Sequence, residues 1–284
     1  MAEKFEVKKD STLLVFLFEV LKGWSKKKIK ERLKNSSILV NGTNTTKHNF
    51  PIYIDDSVEV GTIKKSKRTD TLHSLEIIYQ DRELVAINKP AGLLSVGTKQ
   101  ENRQHALSIL REQLSNRRKR VTLFPVHRLD RDTSGILLFA TSKETREAVM
   151  KNWHRSEKTY LAIVEGVPKE SKGTINQPLR LDDKIYKMHV GEHPKAKQAI
   201  THYQLKESTT THSLLEIQLE TGRQHQIRAH LSWLGHSIVG DERYGTKGDK
   251  MGLHAEKLMI IHPKNKKTLL FKVDADSTFY ALLK

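Results

Sequence analysis

A chain of 284 residues is longer than one ordinary domain, and its 50 lysines and arginines against 33 acidic residues give a net charge of +17, more than solubility alone requires. That excess favours a polyanionic partner over a basic surface that merely meets water or anionic lipid. With no cysteine, disulfides, a thiolate nucleophile and any cysteine-bearing zinc site are excluded and a cytoplasmic setting is expected; the stretch Leu13 to Phe18 is too short for a signal core or a membrane span, so a soluble protein is expected.

The first ten residues are polar and charged. After Ser11 and Thr12, either of which could cap a helix, Leu13, Phe16, Leu17, Val20 and Leu21 recur with the period of one buried helical face. Gly23 ends this helix and Ser25 caps a second, in which Ile29 and Leu33 point inward while Lys26, Lys27, Lys28 and Lys30 stay in water. Ile38-Leu39-Val40 followed by Asn41-Gly42 predicts a short strand entering a tight turn, and Ser57 to Val60 another strand. A small α+β domain over residues 1–60 follows. Residues 61–73, with Lys64, Lys65, Lys67 and Arg68 and no apolar period, read as a basic linker.

Residues 74–284 form the second expected domain. Short apolar strands are predicted at Glu76 to Ile87, Val121 to Val126, Ile136 to Ala140, Tyr160 to Glu165 and Leu214 to Leu219, with helices near 104–114, 143–153 and 224–234. This pattern predicts an α+β fold: a mixed, largely antiparallel sheet flanked by helices. There is no internal repeat or low-complexity tract.

The window richest in chemistry is H-R-L-D-R-D-T-S-G, residues 127 to 135, a charged loop between apolar segments. Positive charge beside a carboxylate favours its ionised form, which suits a nucleophile. Residue chemistry leaves two candidates, Asp130 and Asp132, and a salt-bridged structural turn is an equal alternative. Lys89, at the end of a predicted strand, reads by itself as a surface lysine, and Tyr160 as a half-buried strand residue. Past Thr221-Gly222, the residues Gln226, Ile227, His230, Leu231 and Leu234 recur at helical spacing, with Arg223 and Arg228 near the start. His225 and His230 lie five apart, and H-E-x-x-H is absent, so no metal site is expected from them or from His254 and His262.

Together, H-R-L-D followed by x-x-T-S-G, I-N-K-P-A-G-L-L-S (87 to 95), K-T-Y-L-A-I-V-E-G (158 to 166) and L-E-T-G-R-Q-H-Q-I-R-A-H-L-S-W-L-G-H-S-I-V-G-D-E-R-Y-G (219 to 245) resemble the RluA-type RNA pseudouridine synthases, from about residue 75 to 275. The resemblance implies a catalytic Asp130, with Asp132 at a variable position, and an Arg228 paired to it. Arg128 would displace the target base and occupy its place. Tyr160 would hold the extruded base and reach a ring proton, and Lys89, Arg223 and His225 would bind substrate or RNA. The segments G-W-S-K-K-K-I-K-E-R-L and I-L-V-N-G resemble the small RNA-binding domain of ribosomal small-subunit protein four, which implies RNA contacts from Lys26, Lys27, Lys30 and Asn41. Asp55-Asp56 stands where that family usually has Gly-Asp.

The implied reaction is an isomerisation of uridine needing no cofactor. Ribosomal RNA is the favoured partner and transfer RNA the alternative. A monomer with no membrane contact and no obligatory protein partner is expected. Two rivals remain: a non-catalytic RNA-binding or ribosome-assembly protein, and a phosphodiester hydrolase, which would want a metal-binding acidic cluster or histidine pair near the loop.

Overall fold

The computed structural model describes residues 3–34, 38–61, 74–98, 104–116 and 120–284; nearly all of the expected basic linker falls outside these. The chain divides into two units, Met1–Thr71 and Leu72–Lys284. No helix among the described residues is long and apolar enough to cross a membrane.

In the first unit, β1 (Glu3–Glu6), β3 (Ile38–Val40), β4 (Thr43–Asn44) and β6 (Ser57–Val60) form an antiparallel sheet in the order β1-β6-β3-β4, and β2 (Ser11–Thr12) pairs with β5 (Pro51–Ile52). Helices α1 (Leu13–Val20) and α2 (Lys26–Lys34) close one core in which Leu13, Phe16, Leu17, Leu21, Ile29 and Leu33 meet Ile38, Val58 and Val60. Ser25 caps α2 by accepting the Lys28 N–H. Neither Ser11 nor Thr12 caps α1 with its side chain. The first two amides of that helix instead donate to the carbonyls of Phe50 and His48, a closure between distant segments that no local motif announces.

The second unit is built on a ten-stranded sheet. In chain order its strands are β7 (Glu76–Gln80), β8 (Leu84–Lys89), β9 (Phe124–Pro125), β10 (Ser134–Ala140), β11 (Glu157–Glu165), β12 (Lys172–Asn176), β15 (Ile200–Ser208), β16 (His212–Leu219), β17 (Leu253–Ile261) and β18 (Thr268–Lys272). β13 (Leu179–Asp182) and β14 (Lys187–Val190) make a separate hairpin. The sheet runs β12-β15-β16-β11-β17-β10-β8-β7, with β18 also on β17 and β9 on β10. Every pairing is antiparallel except β10 with β17.

β10 explains why the unit is layered. Its run Gly135 to Ala140 is apolar and buried throughout, the pattern of a strand covered on both faces. Leu137 and Phe139 pack with Leu107 and Leu110 of α3 (Ala106–Leu114), whereas Ile136, Leu138 and Ala140 pack with Val149 of α4 (Lys143–Lys151) on the opposite face. Helix α5 (Gln226–Trp233) covers the other half of the sheet through Ile227 and Leu231, against Leu215 and Ile217.

Two predicted strands differ from those observed. Glu76 to Ile87 is a hairpin: Asp81 Oδ1 accepts the amides of Glu83 and Leu84 and turns the chain inside an almost unbroken apolar pattern. Of Val121 to Val126, only Phe124 and Pro125 join the sheet.

Candidate active site

The H-R-L-D loop leads directly into β10, and three elements converge on it. β10 meets β17 in parallel through Ser134↔His254 and Gly135↔Ala255, and Ala255 is also the partner of Tyr160 on β11. Gly135 sits at φ +107°, and a Cβ there would fall inside the Ala255 backbone. The glycine of T-S-G therefore permits the close approach of β10 to β17, whose other neighbour is the strand carrying Tyr160. A β-bulge between Thr159 and Tyr160 re-aims the tyrosine.

The loop is fixed from behind by I-N-K-P-A-G-L-L-S. Ser95 is buried and its hydroxyl both donates to the Leu129 carbonyl, at 2.7 Å, and accepts the Leu129 N–H, at 3.0 Å. Lys89 is 0% exposed and its ammonium donates to the carbonyls of Pro90, Leu93 and Arg131, at 2.8, 2.8 and 3.0 Å. Burial pushes the Lys89 pKa down to about 7, against the opposing pull of Asp132 and Asp130. Lys89 is thus no surface group available to RNA, and the expectation that it binds substrate is corrected: its hydrogens are engaged in holding the loop.

Asp130 is the half-buried carboxylate of the loop. Its Oδ2 accepts from Arg228 Nη1 at 2.8 Å, and its Oδ1 has no hydrogen-bond partner among the described residues. Asp132 is exposed, with Arg131 at 4.0 Å. Arg228, at the buried start of α5, turns its other edge onto Asp241, donating from Nε at 2.7 Å and Nη2 at 2.8 Å. Burial alone would lower the Arg228 pKa; the hydrogen bonds and charges of Asp241 and Asp130 outweigh it and hold the guanidinium above its ordinary range. Asp241 is completely buried, and sequence reasoning missed it. The fragment G-D-E-R-Y lies within the longest stretch that resembles the family, but nothing in its letters singles out Asp241 as a buried partner for Arg228.

His225 precedes α5 in the left-handed region, φ +49°, with its Nε2 3.8 Å from Asp130 Oδ2 and its Nδ1 3.1 Å from the Tyr244 hydroxyl. The Tyr244 hydroxyl also accepts the Met188 N–H at 2.7 Å, so it joins His225 to β14. Burial lowers the His225 pKa, with Asp130 acting in the opposite sense.

These groups open onto one cavity of about 1550 Å³ lined by Asp130, Tyr160, Arg228, His225, Arg128 and Arg223, among others. Tyr160 is half-buried there, and burial, reinforced by Asp130, raises its pKa. Arg128 is exposed on the cavity wall with no hydrogen bond or ion pair among the described residues. Arg223 is exposed at the rim, its Nε on the Gln198 carbonyl.

In the first unit Lys26, Lys27 and Lys30 are exposed on α2. Asn41 is exposed in the hairpin turn at φ +49°, donates to Asp56 Oδ1 at 2.7 Å and accepts the Ser57 N–H at 2.8 Å. Its carboxamide ties the turn to the next strand.

The histidines weighed for metal are separately engaged: His230 with Thr201 and the Gln177 carbonyl, His254 with Ser134 and the Val273 carbonyl, and His262 with Asp81. Among the described residues no group of three His, Cys, Asp or Glu could hold a metal ion.

A half-buried carboxylate lining a large cavity rich in arginine and lysine, one oxygen held by a buried arginine and the other without a hydrogen-bond partner among the described residues, suits covalent or proton-transfer chemistry on a polyanion. The family model described as RNA pseudouridylate synthase matches residues 83–233. The chain is 37% identical over 236 residues to a tRNA pseudouridine synthase C of Vibrio parahaemolyticus, covering 73% of this chain and 93% of the relative. It is 32% identical over 264 residues to a ribosomal large subunit pseudouridine synthase C of Buchnera aphidicola, covering 83% and 81%. Among solved structures, human RNA pseudouridylate synthase domain containing 4 superposes with a TM-score of 0.60 at 30% identity, covering 73% of this chain and 91% of that one. With the T-S-G loop, the ion pair at Asp130 and these matches in agreement, the chain belongs to the RNA pseudouridine synthase family and is an isomerase acting on RNA.

Proposed function

We propose that this synthase isomerises a uridine in structured large-subunit ribosomal RNA, with Asp130 as the reacting carboxylate and Arg228 as the group that orients it. The observation that carries the chemistry is the Asp130–Arg228 pair at the cavity wall: one carboxylate oxygen is engaged at 2.8 Å and the other has no hydrogen-bond partner among the described residues. The reaction breaks the bond from ribose carbon 1′ to ring nitrogen 1, rotates the uracil and joins carbon 1′ to carbon 5. Carbon 5 then loses its proton and nitrogen 1 gains one, so the product is an isomer and no co-reactant is consumed. Asp130 acts on the sugar or on the ring; both routes call for an ionised, oriented carboxylate. The base must first leave its stack, at a cost of a few kcal/mol. Arg128, on the cavity wall, fills the vacated place, and Tyr160 supplies a face for the uracil and a phenol near its carbon 5.

The choice of RNA rests on the first unit. Its lysine-rich helix and Asn-Gly hairpin resemble the domain of ribosomal small-subunit protein four, and such a basic surface suits structured RNA read by shape. The match to the Buchnera relative, whose name specifies the large ribosomal subunit, covers a share of the chain larger than the second unit and so runs into the first. A transfer RNA target is the second reading, favoured by the higher identity to the Vibrio relative. On either reading the enzyme works in the cytoplasm, where these RNAs are.

The test is tritium release from carbon 5 of uridine in ribosomal and transfer RNA lacking the modification, with wild type and Asp130→Ala. Release from ribosomal RNA by wild type alone supports the proposal. Release from transfer RNA alone replaces the target, and release undiminished in Asp130→Ala removes the aspartate from the mechanism.

A further inference from the structure

Asp130, Arg228 and Tyr160 account for one part of the cavity; another part is built from aromatic rings and cations that the isomerisation chemistry does not use. The His127 and Trp153 rings stack with centroids 5.4 Å apart and planes 29° from parallel. Both are held in place. His127 Nε2 accepts the Leu138 N–H at 3.2 Å, and burial, helped by Lys158, pushes the His127 pKa down to about 4, so the ring is neutral at physiological pH. The Trp153 carbonyl accepts the Ser156 hydroxyl at 2.6 Å and the Ser156 amide at 3.1 Å, while its ring packs partly against the core of Leu258 and Phe271.

Cations surround this pair. Lys158 Nζ lies 5.6 Å from the centre of the Trp153 ring. Arg146 donates from Nε to the Pro125 carbonyl at 2.9 Å, and its two terminal nitrogens have no partner among the described residues. His127, Arg146, Trp153 and Lys158 all line the cavity that holds Asp130.

Fixed aromatic rings bordered by basic groups bind single-stranded nucleic acid by stacking bases and holding phosphates. The volume, about 1550 Å³, exceeds the roughly 300–1,000 Å³ typical of a small-ligand pocket, so one extruded nucleotide does not fill it. The placement in sequence adds a second argument. His127 precedes Asp130 by three residues and Lys158 precedes Tyr160 by two, so the platform flanks the reaction centre on both segments that carry it.

We propose that the His127–Trp153 pair is a stacking subsite for the base of a nucleotide adjoining the target uridine, with Lys158 and Arg146 on the phosphate beside it. The subsite rests on the RNA substrate of the family and is independent of which RNA is modified. It makes the identity and freedom of a neighbouring base part of site selection.

The test uses a short RNA in which the wild-type protein isomerises one uridine, with two further versions abasic at the 5′ or the 3′ neighbour. Tritium release is measured for wild type, Trp153→Phe, Trp153→Leu and Lys158→Ala. On intact RNA, Trp153→Leu should raise KM about 5- to 100-fold, the equivalent of one base stack, and leave kcat within about twofold. Trp153→Phe, which keeps an aromatic face, should raise KM less than Trp153→Leu. One of the abasic RNAs should cost wild type the same factor and cost Trp153→Leu almost nothing more, because both changes remove the same stacking interaction. Lys158→Ala should raise KM on all three RNAs alike. The proposal is overturned if neither abasic RNA affects the wild-type KM, a result that does not depend on any variant folding. It is equally overturned if the variant and abasic losses simply multiply, or if Trp153→Leu lowers kcat with KM unchanged.

Discussion

The completely buried carboxylate of Asp241 takes Nε and Nη2 of Arg228, at 2.7 and 2.8 Å, and so leaves Nη1 as the nitrogen that meets Asp130. Two carboxylates share one guanidinium, and of the two Asp130 is the partly exposed one while Asp241 is fully buried. This division separates fixing the arginine from using it.

Asp241→Ala should therefore be costly twice. Removing one partner of a buried pair leaves Arg228 uncompensated except through Asp130, a loss on the order of 3–5 kcal/mol that urea denaturation would register. Asp241→Asn keeps the shape and should lose less stability, yet its kcat should fall more than about tenfold, because a neutral partner aligns the guanidinium less strongly. Wild-type turnover in Asp241→Asn would mean that Asp130 alone orients Arg228.

The approach of β10 to β17 makes Gly135 a second sensitive point, one that acts through backbone packing. Gly135→Ala should destabilise by about 1–3 kcal/mol through overpacking and a strained φ, and should lower kcat by shifting Asp130 relative to Tyr160. Thermal unfolding and tritium release on the same preparation check both. A variant as stable and active as wild type would show that the strands can part without moving the loop.

Lys89 gives a pH signature. Its pKa is about 7 folded against an ordinary value of 10.5. Between these values the unfolded chain holds a proton that the folded chain lacks, so this group makes stability rise with pH across that window. Below pH 7 both states are protonated and the burial cost is fully present. Lys89→Met carries no such slope. The difference in urea midpoint between wild type and Lys89→Met should move in favour of wild type from pH 6 to pH 9, and parallel curves would contradict the assignment.

Tyr160 is asked to do two things, and two variants separate them. Tyr160→Phe keeps the ring face and should leave KM within about twofold while kcat falls on the order of 10²-fold, the scale of a lost general acid or base. Tyr160→Ala should lose both. An unchanged kcat in Tyr160→Phe would leave the phenol no part in proton transfer.

The exposed lysines of α2 predict a salt effect. Replacing Lys26, Lys27 and Lys30 together with alanine should flatten the dependence of RNA affinity on salt by about 0.7–0.9 in the log–log slope for each phosphate no longer neutralised. Turnover at saturating RNA should not change. A slope equal to wild type would take α2 out of the RNA-binding surface.

The sequence alone determined the elements whose cause is local or periodic. Leu13 to Leu21 announced a helix by spacing, Ser25 its neighbour's cap, and Ile136 to Ala140 a buried strand, because burial of apolar residues at fixed periods is written along the chain. Contiguous motifs also pointed to Asp130, Tyr160 and Arg228. What the tertiary structure decided were relationships between distant segments: Lys89 engaged behind the loop, Asp241 beneath Arg228, Asn41 bound to Asp56, and Gly135 against Ala255. A buried lysine and a surface lysine are the same letter, and so are a buried aspartate and a solvated one. Only the partners supplied by other strands, and the water those partners exclude, distinguish them.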